Sequence, residues 1–407
     1  MLTVAQALDT ICDQVQPFSA VDCLLADALN LVLATDIISD IDSPPFDKAL
    51  MDGYAIRAED LVDQTVNSLD VVDEITAGRV GTKPVSEGQA IRIMTGAPIP
   101  DGATAVVQVE LTRFDESTGR VEIEGAPVQA GASILKRATS MRSGDRVIAA
   151  GQRLRAQELG ALAELGKHQV PVRRAPRIAV LATGDELVPV DQIPADGQIR
   201  NSNETMLVAQ IRHAGGIPVP LGIAKDERTH LRERIEAGLE CDMLLLSGGV
   251  SAGKLDLVPS ELQATGVDQI FHKVQVKPGK PVWFGARRGD NPVWVFGLPG
   301  NPVSSMVCFE LFVRTAIRRL MGIEPADPKP VKAMLKQDHI ARGDRPTYHL
   351  SRLEHTADAR LVTTAIAWQG SADLRATVNA NSLTLFPAGD REWQTGEVVD
   401  VLDWSKD

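Results

Sequence analysis

The spacing of apolar positions changes along the chain, and each change marks a different kind of element. Val4, Leu8, Ile11 and Val15 recur at helical intervals and predict an amphipathic helix. A second apolar stretch runs through Leu24, Leu25, Leu29 and Val32. Ser43-Pro44-Pro45-Phe46-Asp47 then breaks the pattern with stiff, non-helical backbone. From about residue 46 to 145 short alternating runs are separated by turns, and Ala90–Met94, Ala105–Val109 and Arg120–Glu124 (followed by Gly125) read as strands. Helical spacing returns over 145–175 around Leu154, Leu159, Leu162 and Leu165. The first and fourth segments are therefore expected to pack together, with the β segment inserted between them.

Over 176–323 strands and helices alternate. Ile178–Ala182, Ile217–Ile223, Asp242–Leu246 and Val293–Phe296 read as strands. Glu204–Ala214, ending at Gly215-Gly216, Glu227–Leu239 and the long Val303–Met321 read as helices. This order predicts a doubly wound α/β domain, which binds ligands outside the carboxyl ends of its strands. After Pro325-Ala-Asp-Pro-Lys-Pro330 the chain reads as short strands and turns, a small β-barrel-like domain. The fold class is thus multidomain, α/β plus β. Expected boundaries are 1–42 with 141–175 for a helical linker and dimerisation domain, 43–140 for the inserted β domain, 176–325 for the α/β domain and 326–407 for the C-terminal β domain.

Composition narrows the function classes. With 407 residues, 44% hydrophobic and 24% charged, the chain is of ordinary globular type and accommodates about three domains. No run of about 18 apolar residues suggests a membrane span, and the N-terminus lacks the basic region of a secretory signal. Cys12, Cys23, Cys241 and Cys308 are far apart, with no C-x-x-C pair, so each is expected to be a small buried hydrophobe in a cytoplasmic protein. A net charge of −12 argues against a nucleic-acid partner, and 4% aromatics argue against stacking platforms for single strands. Local lysines can still hold a small anion, because distant charge is screened over about 8–10 Å.

The candidate chemistry lies in loops of the α/β domain. Ser247-Gly-Gly-Val-Ser251, after the strand Asp242–Leu246, resembles an anion-binding turn in which Gly248 and Gly249 expose backbone N–H groups, with Asp256 placed to hold a cation. Thr183-Gly-Asp-Glu186, after Ile178–Ala182, suits a divalent metal or a simple helix cap. With Asp226 and Asp256 at equivalent strand ends, Glu186 joins a candidate metal set. If 272–277 is extended, Lys273 and Lys277 share a face, and with Lys280 they offer point charges to a tetrahedral oxyanion; a solvated surface is the plainer alternative. Gly297-Leu-Pro299-Gly300-Asn301-Pro-Val-Ser304 runs into the long helix, where anion binding and N-capping by Asn301 both fit. Met51-Asp52-Gly53 and Met94-Thr95-Gly96 in the β segment, and Gln369-Gly-Ser371 in the tail, are weaker signals.

Taken in order, these segments resemble the MoeA family of molybdopterin molybdenumtransferases, which is related to the E domain of gephyrin. The resemblance rests on Ser43–Asp47 with Met51–Ala55, Arg92–Pro98, Thr183–Leu187, Ile199–Asn203, Ser247–Ser251 with Asp256, Lys277–Pro281, Gly297–Ser304 and Gln369–Ser371. It implies a four-domain subunit in a homodimer that uses Mg²⁺, takes molybdate and adenylylated molybdopterin as substrates, and releases AMP. It also implies contact with other cofactor-biosynthesis proteins and recipient molybdoenzymes. By the same resemblance Glu186, Asp226 and Asp256 serve the metal and nucleotide, Lys273, Lys277, Lys280 and Ser371 serve molybdate, and Asp52 and Thr95 reach in from the partner chain. The chain departs from the family's pattern at Ala138-Thr139-Ser140, where relatives carry Gly-Glu-Asp, and at Lys254, where many carry an acidic residue. Two alternatives stand beside this reading: an adenylyltransferase one step earlier, and a degenerate paralogue that carries or scaffolds molybdopterin.

Overall fold

The computed structural model describes residues 1–61, 68–124, 127–249 and 257–404. They fall into two units, Met1–Thr35 with Gly151–Ala156 and Gln169–Asp407, and Asp36–Ala150 with Gln157–His168.

A six-stranded sheet organises the first unit. Its strands are β1 (Arg177–Thr183), β2 (Ile217–Ala224), β3 (Met243–Ser247), β4 (Val267–His272), β5 (Trp283–Arg287) and β6 (Val293–Leu298). Their spatial order is 2-1-3-6-5-4; β1, β2, β3 and β6 are parallel, and β5 runs antiparallel between β6 and β4. Alternate side chains leave on opposite faces, so one strand feeds two cores. Ile178, Val180, Met243 and Leu245 pack with Leu207 and Ile211 of α1 (Ser202–His213). Ala179, Leu181, Leu244 and Leu246 pack with Leu231 and Ile235 of α2 (Arg228–Gly238) and Leu262 of α3 (Val258–Ala264). Covering both faces requires the near-continuous apolar runs seen in the sequence. The polar β4, the strand β5 behind the Pro-Gly-Lys-Pro turn, and the short α3 were not anticipated.

The long helix expected over Val303–Met321 is present but interrupted. It comprises α4 (Pro302–Cys308), a π-turn over Phe309–Val313 and α5 (Arg314–Leu320). Inside the π-turn the buried Glu310 accepts from Arg314 Nε at 2.6 Å and from Gln210 Nε2 at 2.7 Å. These bonds satisfy charges that the buried apolar helix could not otherwise hold.

The N-terminal helix Val4–Gln14 forms as predicted, closed by a capping box between Thr3 and Gln6. The next apolar stretch is extended, as Val21–Leu24 and Val32–Leu33 flank Gln169–Arg173 in an antiparallel sheet within the segments expected to form a helical linker. Val170 and Val172 are buried on either side of Pro171, so the period there is two. Of 145–175, only Ala156–Glu164 is α-helical.

The C-terminal residues close a five-stranded barrel. Its strands are β7 (Val331–Leu335), β8 (Thr347–His355), β9 (Leu361–Ala365), β10 (Ser382–Phe386) and β11 (Val398–Asp403), in the ring order 7-9-8-10-11. In the second unit a six-stranded sheet takes Ala105–Gln108, Gly53–Ile56, Gln89–Ile93, Ser68–Ile75, Arg120–Ile123 and Thr112–Asp115 in that order. Tyr54 and Ile56 pack on one of its faces, and Ala55, Ile91 and Ile93 on the other. Among the described residues no helix is long and apolar enough to cross a membrane.

Candidate functional site

Between β1 and β3 the strand order reverses, and the loops after β1, β3 and β6 converge there on a cleft of about 750 Å³. Close backbone approach shapes its floor. Gly248 sits at φ +96° and Gly249 at +64°. A Cβ built on Gly248 would lie 2.7 Å from the carbonyl oxygen of Thr183, so no side chain fits between these loops. Gly248 N–H donates to Leu298 O at 3.1 Å, which joins the β3 loop to the β6 loop.

Asn203, in the first turn of α1, spans the same pair of loops. Its Nδ2 donates to Ser247 Oγ and to Gly300 O, each at 2.8 Å. Asn201 caps the helix, accepting from Glu204 N–H at 3.2 Å. Thr183 Oγ1 and Asn203 Oδ1 are buried without a hydrogen-bond partner among the described residues.

The acidic wall comes from β1 and β2. Gly184, at φ +139°, lies under the Glu186 carboxylate, which a Cβ at that position would strike. Asp226 N–H donates to Asp185 Oδ1 at 3.1 Å. Partial burial, then repulsion from Asp185 and Glu186, raise the Asp226 carboxyl above its ordinary range. Among the described residues no three His, Cys, Asp or Glu side chains are grouped to hold a metal ion by themselves.

The cleft brings together Glu186, Asp226, Ser247, Gly248, Gly249, Pro299, Gly300 and Asn301 of the residues expected from sequence. Asn301 Nδ2 donates to Ser371 Oγ at 2.8 Å, and Ser371 O accepts from Val303 N–H, so the tail is tied to the start of α4. Ser304 is buried within α4. Lys273, Lys277 and Lys280 do not line the cleft, although Pro281 at the end of their loop does. The extended geometry expected over 272–277 fails at Lys273, which has φ +71°. Val274 and Val276 are nevertheless buried and Lys277 is exposed. Gly279 packs against the thiol of Cys308, where any Cβ would collide, so that loop has a fixed seat. Ser251, Asp256 and Lys254 lie outside the described residues.

Asp52 and Thr95 meet in the second unit, where Asp52 Oδ1 accepts from both the N–H and the hydroxyl of Thr95 at 2.7 Å. Those bonds hold the Asp52 carboxyl below its usual range. Ala138 has φ +60°, a left-handed conformation that favours glycine. Ser140 N–H donates to Ser43 O at 2.9 Å. All four cysteines are free thiols; Cys241 and Cys308 are buried as expected, whereas Cys12 and Cys23 are only partly so.

Sequence reasoning gave no role to Asn203 or Thr183. Asn203 stood within a segment quoted for the resemblance, but its partners lie 44 and 97 residues away, which no local pattern reveals.

Comparison with known proteins gives the same picture over the full length. Profiles match the MoeA N-terminal region (domain I and II) at residues 2–166, a "Probable molybdopterin binding domain" at 179–319 and the MoeA C-terminal region (domain IV) at 332–404. A Bacillus subtilis (strain 168) protein named molybdopterin molybdenumtransferase is 34% identical, covering 93% of this chain and 88% of its own. The chain belongs to the MoeA family. A MoeA relative from Staphylococcus aureus (strain Mu50), with the same transferase name, is 32% identical over 98% of this chain and 95% of its own. The crystal structure of the Pyrococcus horikoshii MoeA molybdopterin-biosynthesis protein superposes with a TM-score of 0.82 at 29% identity, covering 99% of each chain.

Proposed function

We propose that this chain is a molybdopterin molybdenumtransferase of molybdenum cofactor biosynthesis. In this reading it takes molybdate and adenylylated molybdopterin, places the metal on the dithiolene and releases AMP. The observation that carries the proposal is the full-length match to relatives bearing that name. The cleft at the strand-order reversal supports it, with glycine loops and a serine hydroxyl on one side and carboxylates on the other.

Ser247, Gly248, Gly249, Gly300 and Asn301 hold the phosphate-bearing part, together with Ser251. Lys273, Lys277 and Lys280, outside the cleft lining, offset the charge of molybdate, and Ser371 offers it a hydroxyl. Glu186 and Asp226 fit a magnesium ion, since their unneutralised crowding with Asp185 favours a bound cation. Two carboxylates plus substrate phosphates suffice for an ion that retains several waters, and Asp256 completes the set. Bound there, magnesium would withdraw charge from the phosphates. The protein's own contribution is to position the substrates and offset their charge.

The reading includes a homodimer in which Asp52 and Thr95 of a second copy complete the cleft, in a cytoplasmic enzyme that serves other cofactor-biosynthesis proteins and molybdoenzymes. It keeps the division into 1–42 with 141–175, 43–140, 176–325 and 326–407.

The test is AMP release from adenylylated molybdopterin and Mg²⁺ by the purified protein, with and without molybdate. Molybdate-dependent release is the expected result. Tight pterin binding without release would overturn the transferase reading and favour a carrier or scaffold.

A further inference from the structure

Asn203 organises the cleft in a way that none of the expected site residues does. Its amide nitrogen has two hydrogens, and both are used, one on Ser247 Oγ and one on Gly300 O, at 2.8 Å each. Gly300 O can only accept, which fixes the amide orientation and leaves Oδ1 as the atom without a partner among the described residues.

Each bond changes what the cleft offers to a ligand. By donating to Ser247 Oγ, Asn203 occupies an acceptor site of that hydroxyl. The hydroxyl hydrogen then has no acceptor among the described residues, although Ser247 is only 3% exposed. By donating to Gly300 O, it engages a carbonyl that would otherwise present negative charge to an anion. Gly248 and Gly300 also nearly touch, since a Cβ on Gly300 would lie 3.7 Å from Gly248 Cα. One side chain therefore sets the polarity of both loops where they meet.

We infer that Asn203 is a positioning residue that turns the Ser247 hydroxyl into a hydrogen-bond donor for a phosphate-like group of the substrate and engages the competing Gly300 carbonyl. This deepens the proposed function and rests on it for the identity of the ligand. The wider claim, that the two loops receive a phosphate-like oxyanion, needs only their geometry.

Calorimetric binding of AMP and of inorganic pyrophosphate, each with Mg²⁺, tests the inference on the full-length parent, Asn203→Ala, Asn203→Asp, Ser247→Ala and the Asn203→Ala/Ser247→Ala pair. Asn203→Ala is expected to weaken binding about tenfold, the scale of one or two hydrogen bonds. Asn203→Asp should be worse, because its carboxylate accepts the hydrogen bond of the Ser247 hydroxyl and adds a negative charge. The double variant should lose little more than Asn203→Ala alone, since Ser247 acts through the hydroxyl that Asn203 orients, while Asn203 also engages Gly300. A general structural role would lower the melting temperature and the bound fraction while leaving the dissociation constant of the folded protein unchanged. Unchanged dissociation constants, or additive losses, overturn the inference. If the parent binds pyrophosphate but not AMP, the adenylate reading fails while the variants still decide the role of Asn203. If it binds neither, both fail.

Discussion

The central sheet and the C-terminal barrel use buried polar side chains in opposite ways. In β1 and β3 every residue from Ile178 to Ala182 and from Met243 to Leu246 is apolar and buried, and polarity begins only at the last residues, Thr183 and Ser247. In the barrel, polar side chains stand mid-strand: His349 and Ser351 on β8, Thr363 on β9 and Thr384 on β10 are all buried. The barrel's hydroxyls satisfy one another, Thr363 with Thr384 at 2.9 Å and Ser351 with Ser382 at 2.9 Å. At the sheet end Thr183 Oγ1 and Asn203 Oδ1 have no partner among the described residues. Burial of a polar group is thus no mark of function by itself. What separates the regions is whether the protein completes the hydrogen bonding internally.

The largest expected effect falls on the sheet end. Gly248→Ala must place a Cβ against the Thr183 carbonyl in a left-handed conformation. A loss of about 3 kcal/mol in denaturant unfolding and abolished ligand binding are expected. Wild-type stability in this variant would show that the two loops do not constrain each other.

Acid should reveal the barrel. Burial, then the charges of His339 and Lys277, lower the His349 pKa to about 4 from the ordinary 6.5. Its Nε2 lies 3.0 Å from the carbonyl of Ile366, which can only accept, so that nitrogen carries the proton. Above pH 6.5 both folded and unfolded forms are neutral and the stability is intact. As pH falls from 6.5 toward 4 the unfolded chain takes up the proton first, and stability drops by about 3 kcal/mol. His349→Phe should flatten that part of the stability–pH curve. An equally steep curve in the variant would assign the acid sensitivity elsewhere.

The smallest effect tests internal satisfaction directly. Thr363→Val leaves the Thr384 hydroxyl unpaired and should cost about 1–2 kcal/mol, whereas Thr363→Val with Thr384→Val should cost less than the single change. Additive losses would mean that the pair is not a closed unit.

The two regions also differed in how far the sequence revealed them. Strands β1, β3 and β6 were legible because a sheet covered on both faces demands apolar runs, and the glycines after β1 and β3 marked turns. The acidic and glycine positions of the cleft followed from those strand ends. β4 and β5 were hidden, the first because Val267-Asp-Gln-Ile-Phe-His272 does not alternate cleanly in polarity and the second by the adjoining proline-rich turn. The π-turn has no local signature, since the apolar spacing of its host helix runs through Phe309–Val313 without a break. Lys273 in a left-handed conformation and Asn203 bridging distant loops are tertiary outcomes, decided by backbone brought together from far along the chain.

The loop carrying Lys277 is stitched to the barrel by its own backbone: Lys277 N–H donates to Pro346 O at 2.9 Å, and Lys277 O accepts from Tyr348 N–H at 2.8 Å. The two parts are consequently poor modules for exchange between relatives. A chimaera that swapped the C-terminal residues would inherit a seam at this splice, and drift on one side of it would call for compensating change on the other.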